Sequence, residues 1–212
     1  MRDTLDFIIY KTNNITLLWE EASKEGITPQ STAKKIDEAM LDWMRELTKT
    51  LRIWTDRGEN MSNGELILAR ANIGALLESW LKFFYCVFND NYQSNPKTDK
   101  NLKPIEPNNL SFETLQQYSR GILFQTNDNW DKWIENVKRK RNAIHAFNYR
   151  DIGNVSDFYN DIEELFKFIE LIEIRLPSVE DYIQCFPQGY KQPSLFVEKS
   201  VPVKRVKRVL DF

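Results

Sequence analysis

Near the middle of the chain, Ile73-Gly74-Ala75-Leu76-Leu77-Glu78-Ser79-Trp80-Leu81-Lys82-Phe83-Phe84-Tyr85-Cys86-Val87-Phe88 carries apolar side chains around most of a helical circumference. With Leu66 the pattern reaches back to about Ser62. A helix that is apolar on several sides must be packed on several sides, so this run predicts the central helix of an all-α protein. Gly74 lies inside it, where the missing side chain leaves room for a second helix to come close.

Outward from this core the same three- and four-residue periodicity recurs on both sides. Upstream, Leu5, Ile8, Ile9, Thr12, Ile15 and Trp19 line one helix face, and Gly26-Ile27-Thr28-Pro29 breaks it. A second pattern through Ile36, Met40, Trp43, Leu47, Leu51 and Trp54 predicts one continuous helix ending near Asp56-Arg57-Gly58. Downstream, residues 89–109 hold many asparagines and Pro96, Pro104 and Pro107, which predicts a long loop or disordered insertion. A short helix follows Ser111. A fourth long pattern, Trp130, Trp133, Ile134, Val137, Ile144 and Phe147, takes its cap from Asn127-Asp128-Asn129. After a turn containing Gly153, a fifth runs through Phe158, Ile162, Leu165, Ile169, Ile172 and Leu176, capped by Ser156 and stopped by Pro177.

The expected architecture is an antiparallel bundle of about five long helices, residues 1–178, followed by a non-helical C-terminal extension, residues 179–212. That tail alternates apolar and basic residues from Val201 to Arg208; a mobile terminus is the first reading, and the pattern also suits an edge strand, a nucleic-acid contact or a partner-bound segment.

Composition narrows the chemistry. In 212 residues, 42% apolar, only seven glycines occur, about half of average usage, which disfavours a turn-rich β architecture. A net charge of -2 exerts no global pull on polyanions, so any RNA contact must come from a local patch. Cys86 and Cys185 sit far apart in apolar sequence and read as buried reduced thiols. The first residues lack the apolar run of a signal peptide and no stretch is long enough to span a membrane, so the expectation is a soluble cytoplasmic protein. One histidine and two distant cysteines cannot assemble a zinc site without help from another chain, while a magnesium site made only of carboxylates stays open, and no phosphate loop, serine elbow or kinase signature is present. No cofactor is expected.

What remains is Arg141-Asn142-Ala143-Ile144-His145, at the end of the fourth helical pattern and containing the only histidine. On a continuous helix Arg141 falls inside the apolar stripe, His145 about 40° to its side, and Arg139 on the far side. Burying an unpaired guanidinium costs several kcal/mol, so this end of the stripe must face a partner, a ligand or a solvated groove. RNA can be cut without a metal when its own 2′-hydroxyl attacks the neighbouring phosphate. Histidine can then move protons near neutral pH, and a guanidinium can clamp the phosphate oxygens. A single histidine leaves either the base or the acid unsupplied; a symmetric dimer would provide both.

These residues resemble the mark of the HEPN superfamily, an Arg often followed by a polar residue and then a His, and Leu76-Leu77-Glu78-Ser79-Trp80-Leu81-Lys82 is similar to its glutamate-bearing helix. The likeness covers roughly residues 62–176. It implies a helical, usually dimeric bundle, many of whose members are metal-independent endoribonucleases of toxin, phage-defence or RNA-processing systems, while others are non-catalytic. By position, His145 becomes the general acid/base, Arg141 the phosphate ligand and Asn142 an orienting group. Family spacing usually leaves four to six residues between Arg and His; Arg141 leaves three and Arg139 five, and helix phase favours Arg141. Tyr149 is offset from the tyrosine of some toxin members.

Glu78 and Lys82, four residues apart, form a surface ion pair or place a carboxylate in the groove. Lys138, Arg139 and Lys140 read as a solvated face with RNA-backbone attraction as the functional alternative, and Arg150 lines the groove or caps a turn. The functional expectation is a dimeric endoribonuclease of a toxin or defence system. The alternatives are a non-catalytic module binding a nucleotide or partner protein, and an antitoxin or accessory subunit.

Overall fold

The computed structural model describes residues 1–179, and among them the regular structure is helical. Eight α-helices follow in order: α1 (Arg2–Lys24), α2 (Gln30–Asp37), α3 (Leu41–Arg57), α4 (Asn63–Val87), α5 (Asn89–Ser94), α6 (Phe112–Ser119), α7 (Asn129–Arg141) and α8 (Val155–Arg175). The expected tail, with Cys185, lies outside the described residues.

Helix α4 is the hub, packed against α2, α3, α6, α7 and α8. It starts at a capping box in which the Ser62 hydroxyl accepts from the Glu65 amide and the Glu65 carboxylate accepts from the Ser62 amide. Its apolar girth is consumed by these neighbours: Ile73, Leu76, Leu77, Trp80, Leu81, Phe83 and Phe84 are all buried. Trp80 meets Phe83 edge-on, and Phe83 in turn meets Trp19 of α1. Cys86 is buried and reduced as expected, its thiol pushed up to about 12 by burial.

The structure departs from the sequence reading in four places. The second helical pattern divides, because α2 ends at Asp37 and α3 begins only at Leu41. Within α3 the buried face is Leu41, Met44, Thr48 and Leu51, which meets α1 and α4; Met40, Trp43 and Leu47 stand outside. Both stripes have helical spacing, and only packing against α1 and α4 selects between them. Residues 89–109 are not a bare loop. Asn89–Ser94 is helical, and Tyr92 is buried with its hydroxyl donating to the Ile105 carbonyl (2.7 Å) and accepting from the Lys97 amide (3.1 Å), so one tyrosine organises the segment. Helix α8 is capped by Asn154, paired with Asp157 in a capping box, rather than by Ser156. Finally, α7 stops at Arg141 instead of running on to Phe147.

Candidate functional site

Helix α7 begins at Asp128, whose side chain accepts from the Asp131 amide. Its apolar face, Ile134 and Val137, packs on α4, with Trp130 and Trp133 against Phe168 of α8. At Asn142 the coil tightens into a 3-10 turn, Asn142–His145, which ends at Ala146 with φ 52°. The Asn142 amide closes onto the carbonyls of Lys138 and Lys140, so Asn142 is the C-cap of α7. Beyond it Phe147 N–H donates to the His145 carbonyl at 2.6 Å, a sharp reversal. The stripe through Ile144 and Phe147 expected from periodicity therefore dissolves: Ile144, His145, Phe147, Tyr149 and Arg150 are all exposed.

Arg141 keeps its expected role as the polar intruder on an apolar face. Its guanidinium pairs with Glu78 on α4 (Nη2 to Oε2, 2.8 Å) and lies 5.8 Å from the centre of the Phe112 ring. Gly74 makes this possible, since a Cβ there would stand 2.6 Å from the Arg141 Cβ and 2.7 Å from its Cγ and Cδ. The expected close approach at Gly74 is thus the stem of Arg141. Glu78 forms the expected ion pair with Lys82 at 2.9 Å and binds Arg141 as well. The Arg141 side chain remains 35% exposed.

Helix phase on α4 defines what surrounds this pair. Gly74 and Glu78 face α7, while the Asn72 amide lies among Thr50, Trp54 and Leu47 of α3. Between these directions Leu68 is exposed and the small residues Ala71, Ala75 and Ser79 are half-buried. Met40, Trp43 and Leu47 continue the apolar strip on α3, with Trp43 65% exposed.

Two basic residues expected on a solvated face are instead committed. Lys138 binds Glu113 and Glu135 and donates to the Gln116 side-chain oxygen; burial opposes its charge, but the two carboxylates outweigh it and hold its pKa above the ordinary value. Lys140 is buried and reaches Asp161 at 3.2 Å. Arg139 alone of the three is exposed, donating to Asn136.

A buried charge cluster that the sequence reading missed holds the loop after His145. Arg70, 2% exposed, binds the Asp161 carboxylate and donates to the carbonyls of Ile152 (3.0 Å) and Asn154 (3.2 Å). Trp133 Nε1 and Lys140 Nζ complete the coordination of Asp161. Burial holds the Arg70 pKa below its ordinary value, opposed in part by Asp161, Asp157 and Asp151. Its signal was available: Arg70 and Asp161 are polar residues on apolar helix faces, as Arg141 is.

Among the described residues no hydrogen bond or ion pair links Arg141 with His145, and no His, Cys, Asp and Glu side chains gather in threes to hold a metal ion. No described helix is long and apolar enough to cross a membrane. No protein-family model matches this chain, and no curated protein or solved structure matches it.

Proposed function

We propose that this chain is a metal-independent endoribonuclease of HEPN type, acting as a homodimer in a bacterial toxin or anti-phage defence system. One observation carries the reading: an arginine paired with Glu78 on the central helix, its side chain still 35% exposed, precedes an exposed histidine by four residues. In the proposed reaction the 2′-hydroxyl of the substrate attacks the adjacent phosphorus, the 5′-oxygen leaves, and a 2′,3′-cyclic phosphate remains. His145 moves the protons and Arg141 stabilises the charge gathering on the phosphate oxygens, with Asn142 orienting the turn between them. Glu78 keeps the arginine pre-placed. It also neutralises part of its charge, so an incoming phosphate must share the fork with the carboxylate.

The second copy answers the shortage of histidines. A two-fold axis beside the strip would bury Trp43, Leu47, Leu68 and Ala75 against their symmetry mates and bring two His145 side chains to one cleft, one as base and one as acid. The commitment of Arg141 to Glu78 and Phe112 favours a second reading, a non-catalytic helical module that binds a nucleotide, an antitoxin or another defence-system partner through the same face.

The test is incubation of RNA with the protein in excess chelator. Fragments with 2′,3′-cyclic phosphate ends, absent with His145→Ala, are expected; equal behaviour of the two proteins ends the enzyme reading. Sedimentation of Trp43→Glu against the unaltered chain examines the dimer: the substituted chain should be a monomer, and identical sedimentation removes this strip from the interface.

A further inference from the structure

Phe147 is 100% exposed and Tyr149 92%, and both follow His145 within one loop. Single apolar residues on a surface are ordinary. Two aromatic rings standing in water beside the only histidine of the chain, with Ile144 also exposed, form a concentrated feature. The loop that carries them is braced at both ends. On one side the Ala146 amide donates to the Ala143 carbonyl (3.1 Å) and Phe147 N–H to His145. On the other, Arg70 grips the carbonyls of Ile152 and Asn154 from inside the fold.

Charge in the loop has one sign. Residues 142–150 contain no carboxylate. Asp151, the next residue, accepts from the Gly153 amide and contributes to the field around Arg70. Arg139 and Arg150 are exposed and have no carboxylate partner among the described residues. Exposed aromatics among unpaired cations suit a strand that offers both flat bases and phosphates. A duplex hides its base faces in its own stack, and only unpaired nucleotides can lay them on a protein ring.

We propose that Phe147 and Tyr149 form a base-stacking platform next to His145 that selects unpaired RNA, with Arg139 and Arg150 on the flanking phosphates. This rests on the RNA reading of Arg141 and His145 and adds the specificity-determining residues to it. Being two residues apart, the rings have Cα atoms within about 7 Å, the reach of one base or two stacked neighbours. Bases held there leave the intervening phosphate near the imidazole. Each base–aromatic stack changes affinity by roughly 5- to 150-fold.

The test uses the full chain carrying His145→Ala, to prevent cleavage, and an unstructured RNA oligonucleotide with one 2-aminopurine, alone or annealed to its complement. The single strand should bind and its fluorescence should be quenched. Adding Phe147→Ala and Tyr149→Ala should weaken binding at least about 10-fold and abolish quenching, Phe147→Trp should retain both, and the duplex should bind weakly and ignore the substitutions. Both residues are exposed, so the thermal midpoint should not move. Single-strand affinity unaltered by the double substitution, duplex binding as tight as single strand, or no RNA binding at all overturns the platform. Quenched binding in a chain whose His145 form does not cleave would instead overturn the nuclease reading and leave the platform standing.

Discussion

Replacing Asp161 by Ala removes the carboxylate that two buried cations and an indole share. Arg70 would keep its bonds to the carbonyls of Ile152 and Asn154, whereas Lys140 and Trp133 Nε1 would lose the acceptor described above. Breaking a buried ion pair by deleting one partner costs about 3–5 kcal/mol, because the remaining charge stays desolvated. Lys140 sits at the end of α7, where its stem can swing the ammonium outward and recover part of this, so a loss of about 3–4 kcal/mol is expected. With a urea dependence of roughly 2 kcal/mol per molar, the unfolding midpoint should fall by about 1.5–2 M. The measurement is urea denaturation followed by far-ultraviolet circular dichroism, with the slope checked for constancy. A loss below about 1 kcal/mol would refute the assignment of the cluster as a buried, mutually dependent unit. An apolar triple replacement, Arg70→Met with Lys140→Met and Asp161→Leu, should regain part of the stability, since no charge is left buried while the carbonyls of Ile152 and Asn154 and the Trp133 indole lose their partners. It should not regain the proposed RNA cleavage, because the grip on the loop behind His145 is gone.

Two other substitutions probe the frame around the site. Gly74→Ala places a methyl against the Cβ of Arg141, a contact no side-chain rotation relieves; overpacking of about 1–3 kcal/mol, offset by about 1 kcal/mol of helix propensity, should leave thermal stability slightly lowered and the proposed RNA cleavage markedly so. Unchanged cleavage would show that the Arg141 position is not critical. Asp131 is buried, which opposes its ionisation, but the Asn127 amide, Gln116 and Arg120 outweigh burial and hold its carboxyl below the ordinary value of 3.8. A depressed folded-state pKa stabilises above the unfolded value and loses that contribution as pH falls through the folded one. Asp131→Asn should therefore cost about 1–3 kcal/mol at pH 7, with the difference from the unaltered chain shrinking below about pH 4; a pH-independent difference in urea titrations would contradict this.

Much of the scaffold was legible because helix periodicity is a local property. The central α4, the break before α2, a cap within Asn127-Asp128-Asn129 and the turn at Gly153 follow from residue order alone. The candidate site was legible in part. Arg141 announced itself as a charge on an apolar face, and Gly74 as a place of close approach, yet their contact with each other required coordinates. Arg70 and Asp161 gave the same kind of signal ninety-one positions apart, too far for any window of sequence to join.

Residue order by itself determined that the chain makes helices, that α4 is surrounded, and that cationic and histidine chemistry concentrates around residues 139–150. The tertiary arrangement decided which of two apolar stripes on α3 turns inward, where α7 gives way to its 3-10 turn, and which basic residues are consumed by internal carboxylates. The reason is physical. A helix is specified by bonds between residues three and four apart, whereas burial and ion pairing are settled by whatever distant segment comes to lie alongside.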